Sequence, residues 1–152
     1  MTQDADIVLF TGFVDEEKIV DSLLGRYESR IPDARDFALQ RRVLLLKVDD
    51  AIPFDVSLGG LSYEERMIKR SSMFEFLDGI SLRTCSGEDL VILKAFASRD
   101  MDWIDLKGVL IRSGSGLQWG LIFKELEKLI SLKESPEIMT KLKSLQREIA
   151  GI

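Results

Sequence analysis

The apolar positions of this chain follow two rhythms, short runs of strand type up to about residue 85 and long helical spacing after it. Ile7, Val8, Leu9 and Phe10 form an unbroken apolar run that predicts a strand over residues 4–10, ended by Thr11-Gly12. Ile19, Val20, Leu23 and Leu24 then recur at helical spacing. Asp15, Glu16 and Glu17 precede them, where the helix dipole favours acids, so an amphipathic helix is expected from Asp15 to about Tyr27. Ile31-Pro32-Asp33 reads as a loop, and Arg42–Val48 and Pro53–Leu58 predict an antiparallel strand pair closed by Gly59-Gly60. A short helix follows at Tyr63–Lys69, then two short strands, Met73–Leu77 and Ser81–Thr84, around an Asp78-Gly79 turn.

From Ser86 the pattern is helical throughout. Ser86 stands as the N-cap of a helix reaching about Ala97, with Asp89 three residues later in the reciprocal capping position. Asp102–Ile111, Leu117–Leu132 and Pro136–Ile149 are three further helical segments, and Pro136 suits a first turn. The expected fold is α+β: a small mixed sheet with flanking helices over residues 1–85, then a C-terminal helical bundle over 86–152 packed on it.

Composition narrows the chemistry. The 152 residues are 45% hydrophobic and 31% charged, a globular mixture of one-domain size. No apolar run approaches the roughly 18 residues that a membrane span needs, and the first residues show no basic-then-apolar signal pattern, so a cytoplasmic protein with no membrane partner is expected. The chain has no histidine and a single cysteine, Cys85, which is read as packing. That excludes an internal disulfide, the usual zinc sites, Ser-His-Asp triads and Cys-His dyads. The net charge of −5 argues against a broad nucleic-acid surface. Any catalysis must run on carboxylates, lysine, arginine and hydroxyls, and a metal held by such groups would be Mg²⁺ or Mn²⁺.

Asp4 and Asp6 stand two apart at the start of the first strand, so the backbone turns both to one face. Two like charges so placed need a cation between them. Asp55 sits in the middle of an otherwise apolar strand, where an ionised group is costly unless compensated. If the two strands are neighbours, three carboxylates converge and can hold one or two divalent cations, an arrangement suited to in-line phosphoryl displacement. The expectation is an uncompensated three-carboxylate cluster awaiting metal.

Four blocks, Thr2-Gln3-Asp4-Ala5-Asp6-Ile7, Pro53-Phe54-Asp55-Val56, Cys85-Ser86-Gly87-Glu88-Asp89-Leu90-Val91-Ile92-Leu93-Lys94 and Arg99-Asp100-Met101-Asp102-Trp103-Ile104-Asp105-Leu106, occur in the order seen in the nucleotidyltransferase superfamily. The chain resembles the bacterial AbiEii-like nucleotidyltransferase proteins, some of which are toxins of toxin–antitoxin pairs. The resemblance implies that Asp4, Asp6 and Asp55 hold the metal, with Asp55 also taking the proton of the attacking hydroxyl. It implies further that Thr2, Lys94, Arg99 and Asp105 serve the nucleotide. The implied reaction moves a nucleoside monophosphate from a nucleoside triphosphate to a protein hydroxyl, a tRNA end or a small molecule, and an antitoxin is an implied partner.

Physical readings stand beside these roles. Lys94 lies among Leu90, Val91, Leu93 and Phe96, a costly place for an ammonium that reaches neither an anion nor an acid. A phosphate and a structural acid such as Asp105 are both open as its partner. Arg99 either meets phosphate or sits at a helix C-terminus, where cations are favoured. Asp105 either orients Lys94 or forms a structural salt bridge. Trp103 and Trp119 are expected in the core.

The resembled enzymes cradle the triphosphate on a Gly-Ser turn upstream of the Asp-x-Asp strand. With Asp4 the fourth residue of this sequence, that segment is expected to be lacking, and Gly59-Gly60 and the Gly-Ser run at 113–116 stand too late to replace it. Two function classes follow: a metal-dependent nucleotidyltransferase, or a catalytically inactive binding or regulatory protein of the same fold.

Overall fold

The computed structural model describes residues 5–49 and 52–151. Thr2 and Asp4, two of the expected site residues, lie outside the described residues. The chain runs β1 (Ala5–Phe10), α1 (Glu16–Leu24), β2 (Glu28–Ser29), α2 (Ala34–Arg41), β3 (Val43–Val48), β4 (Ile52–Gly59), α3 (Ser62–Arg70), β5 (Ser72–Leu77) and β6 (Ile80–Thr84). Four longer helices follow: α4 (Gly87–Ala97), α5 (Asp100–Ser113), α6 (Trp119–Lys133) and α7 (Glu137–Ala150). The fold is α+β, with a mixed four-stranded sheet of order β1-β4-β3-β2 and a separate β5-β6 hairpin. Among the described residues no helix is long and apolar enough to cross a membrane.

The chain divides into two compact units, Met1–Arg66 and Met67–Ile152. The sequence pattern put the change of character at residues 85 and 86. The hairpin falls in the second unit, and among the described residues β5 and β6 join no strand of the larger sheet.

In the first unit, β1 runs parallel to β4, β3 is antiparallel to β4, and β2 is antiparallel to β3. Strand alternation decides the burial. Leu44, Leu46, Phe54, Val56 and Leu58 are buried on one face with Val20 of α1 and Ala38 of α2. Val43, Leu45, Lys47, Pro53, Asp55 and Ser57 fall on the other face and are only half-buried. Tyr27 meets Phe54 edge-on at 5.1 Å between ring centroids. The sequence pattern offers little sign of α2, whose buried contacts are the two alanines Ala34 and Ala38. A helix that packs through alanines has no large apolar stripe to announce it.

In the second unit, α4 packs on α5 and α6, and α7 on α5 and α6. Val91, Ile92, Leu106, Ile122, Leu126 and Leu142 are buried in the bundle. Ser86 caps α4 as expected, its hydroxyl accepting the Asp89 N–H at 3.1 Å. The hairpin needs its tip glycine, Gly79 at φ 76°, because an L side chain is strained there.

Leu46 is fully buried at the centre of the first core. Leu46→Ala is expected to lower the unfolding free energy by about 2–5 kcal/mol, read by denaturant titration with unchanged slope.

Candidate functional site

Sheet register sets the first cluster. In the parallel β1–β4 pair Asp6 stands directly beside Asp55, and in the β4–β3 pair Asp55 stands beside Leu45. Beyond Leu45 the row continues to Arg30, whose backbone N–H donates to the Leu45 carbonyl at 2.9 Å. Asp6, Asp55 and Leu45 therefore share the face opposite the helices, where Leu45 and Asp55 are half-buried and Asp6 is exposed. The structure brings Asp6 and Asp55 together as the sequence pattern anticipates.

The expectation of an uncompensated Asp55 is corrected. The Arg30 guanidinium reaches along the row, hydrogen-bonds the Asp55 carboxylate and forms an ion pair with it. The two side chains are 28% and 27% exposed, so the pair is partly shielded from solvent and offsets the cost of a charge within the sheet. Arg30 gave no signal in the sequence, since only the β2–β3 pairing carries it into this row. Ser29 fixes the exit from β2, its hydroxyl donating to the Ile31 carbonyl at 2.8 Å and accepting the Ile31 N–H at 3.1 Å. Among the described residues no group of three or more acids or cysteines is placed to hold a metal ion. Asp4 falls outside that set.

The second cluster lies within the helical unit and centres on Asp102, whose role the sequence pattern does not announce. Asp102 is 2% exposed. It accepts the Arg99 backbone N–H at 3.1 Å and the Arg99 Nε at 2.7 Å, and Lys94 Nζ lies 3.5 Å away. Lys94 Nζ also donates to Asp105 at 2.6 Å. Lys94, Arg99 and Asp105 are thus joined through or beside Asp102, and Lys94 takes the structural-acid pairing that was one of its two readings. Arg99 directly follows Ser98, the C-cap of α4, and is the N-cap residue of α5, so it stands at a helix C-terminus while its side chain pairs with Asp102. An acid three residues after a helix cap was the available signal for Asp102.

Burial pushes the Asp102 carboxyl up, but the Arg99 hydrogen bonds and the Arg99 and Lys94 charges outweigh it and hold the group below its ordinary value of 3.8. Burial likewise pulls Lys94 down, while Asp105 and Asp102 outweigh that and raise it above 10.5. Trp103 is buried as expected, its indole N–H donating to the Ser98 hydroxyl at 3.1 Å. Trp119 is half-buried and donates to the Gly114 carbonyl at 3.3 Å. Cys85 is exposed, contrary to the packing role expected of it.

No protein-family model matches the chain, and a search of curated proteins finds no match.

A carboxyl depressed in the folded state stabilises above its unfolded value and loses that contribution as pH falls through the folded one. Asp102→Asn is therefore expected to cost about 1–3 kcal/mol at pH 7, since Lys94 and Arg99 lose a buried charge partner. The gap between variant and parent should narrow below about pH 4 in acid-dependent melting curves.

Proposed function

We propose that the protein is a metal-dependent nucleotidyltransferase that passes a nucleoside monophosphate from a nucleoside triphosphate to an acceptor hydroxyl. The observation that supports this reading is the in-register pairing of Asp6 and Asp55 on one half-open sheet face. Asp4, two residues before Asp6, has the sequence position to join them. Carboxylate oxygens are the donors that Mg²⁺ or Mn²⁺ selects, and Asp4, Asp6 and Asp55 are the residues that would hold the ion. When bound, such an ion neutralises charge on the phosphates and stabilises the attacking and leaving oxygens.

The chain's own groups supply the rest. Asp55 accepts the proton as the acceptor oxygen bonds to the α-phosphorus. The bond from that phosphorus to the bridging oxygen breaks, and pyrophosphate leaves with its electron pair. Arg30 holds Asp55 in place through its hydrogen bond to the carboxylate.

The same ion pair favours a second reading. A cation already satisfies Asp55, as it would in a non-catalytic binding or regulatory protein of this fold.

Calorimetry with Mg²⁺ or Mn²⁺, with and without an equimolar mixture of the four nucleoside triphosphates, separates the two. On the enzyme reading, metal and triphosphate strengthen each other's binding, labelled monophosphate appears on an acceptor, and Asp6→Asn and Asp55→Asn lose both effects. Absence of coupling in the unmodified chain would favour the second reading. On either reading Asp55→Asn also removes the partner of Arg30, so a stability loss of about 1 kcal/mol is expected in metal-free buffer.

A further inference from the structure

A pocket of about 330 Å³ opens in the first unit where β1 and β4 end, within the range of small-ligand sites of roughly 300–1,000 Å³. Phe13, Arg41, Arg42, Ser57, Leu61 and Glu64 carry its chemistry. Most of its polar groups belong to the wall. Arg42 Nε and Nη2 donate to the Leu58 carbonyl at 2.9 and 2.6 Å, Nη2 donates to Gly12 at 2.9 Å, and Nη1 pairs with Glu16. The Phe13 ring lies over that guanidinium at 4.6 Å. Glu64 is engaged as well, one carboxylate oxygen accepting the N–H groups of Gly60 and Leu61, both at 2.7 Å. The wall is tight at Gly60, where a Cβ would come within 2.8 Å of Phe13 and 2.9 Å of Arg42.

Two donor groups of the lining are left over. Among the described residues, neither the Arg41 guanidinium nor the Ser57 hydroxyl has a hydrogen-bond or ion-pair partner. Beside the second Glu64 carboxylate oxygen, the lining offers a ligand a planar cation with five donors and one hydroxyl, and those donors select an oxyanion. Ser57 also shares its sheet face with Asp55, two residues back along β4, roughly 7 Å at strand rise. That spacing suits a chain of phosphates reaching from the Asp6–Asp55 row into the pocket.

We propose that this pocket is an oxyanion subsite, with Arg41 and Ser57 as its ligand-binding groups, and that it takes the terminal phosphates of a nucleoside triphosphate. The choice of triphosphate rests on the nucleotidyltransferase reading; the oxyanion chemistry stands without it.

The test is calorimetry on the full chain, as the parent and as Arg41→Gln, Ser57→Ala and Asp55→Asn. Pyrophosphate is titrated in EDTA and in Mg²⁺, followed by competition with the four nucleoside triphosphates and, separately, their monophosphates. Pyrophosphate is expected to bind the parent in EDTA, with Arg41→Gln weakening it roughly tenfold through loss of charge-assisted donors and leaving the melting temperature unchanged. Ser57→Ala should give a smaller loss. Asp55→Asn should keep the binding in EDTA and lose the strengthening by Mg²⁺. Equal affinity in parent and Arg41→Gln, or no binding to the parent, overturns the pocket. Arg41-dependent binding that Mg²⁺ never strengthens upholds the oxyanion site and counts against the nucleotidyltransferase reading. Monophosphates that compete as well as triphosphates overturn the choice of the triphosphate tail in favour of a phosphorylated acceptor.

Discussion

A carboxylate in the middle of a strand has to find a cation, and the way Asp55 finds Arg30 constrains the whole first unit. The parallel pairing of β1 with β4 sets Asp6 beside Asp55, and the antiparallel pairings through β3 to β2 bring Arg30 into the same row. A slip of one residue would turn Asp55 toward Val20 and Leu44 and would turn Phe54 and Val56 out to water. Register is therefore held from both sides, by apolar burial under α1 and α2 and by an ion pair that forms only on the opposite face. Structure and candidate chemistry draw on the same residue pair, which is why Asp55 can be read as a ligand-holding group or as a structural one.

The helical unit solves a related problem twice in the same way. Asp89 and Asp102 are 0% and 2% exposed, and each stands three residues after the N-cap residue of its helix. Each also meets an arginine. Asp89 takes Arg70 Nε at 3.0 Å and the Ser86 hydroxyl at 2.9 Å, and Asp102 takes the Arg99 guanidinium. A first-turn acid satisfies backbone donors that the helix leaves open, and its charge is favoured there by the dipole. Burial then makes the arginine necessary, because removing one member strands a charge away from water. Lys94 and Asp105 extend the second of these networks at its more exposed edge.

Much of this was legible in the sequence, and for identifiable reasons. The strands around Val43–Leu46 and Phe54–Leu58, the hairpin at Gly79 and the bundle helices announce themselves through period, turn residues and caps, which are local signals. That Asp55 needs a partner was legible from the isolation of a charge in an apolar strand, though Asp6 stood beside it only if the two strands paired. The same argument on a helix made Asp105 one of two open partners for Lys94. α2 was not legible, because its buried residues are alanines and only Leu39 adds a larger apolar contact to the core. Arg30 was not, because its role arises from a two-residue strand whose place in the sheet is set by long-range pairing. Asp102 was not, because its burial comes from the packing of α5 on α4, and an aspartate after a helix cap is ordinarily exposed.

Arg41 and Arg42 show why long-range geometry decides what a charge is for. They are consecutive in the chain, but Arg41 closes α2 while Arg42 adopts the left-handed conformation at φ 58°, donating its N–H to Ala38 as the chain turns into β3. That turn sends the Arg42 side chain toward the ends of β1 and β4, where two backbone carbonyls and Glu16 take up its donors. A left-handed residue that is neither glycine nor asparagine carries a conformational cost, which persists only where the surrounding contacts over-determine it. Here the contacts of Arg42 do so. Arg41 has no such set, and the same turn leaves it at the pocket rim with its donors uncommitted among the described residues. One arginine thus builds the wall and its neighbour lines the pocket with uncommitted donors, so two identical side chains in succession differ in role through the contacts each can reach.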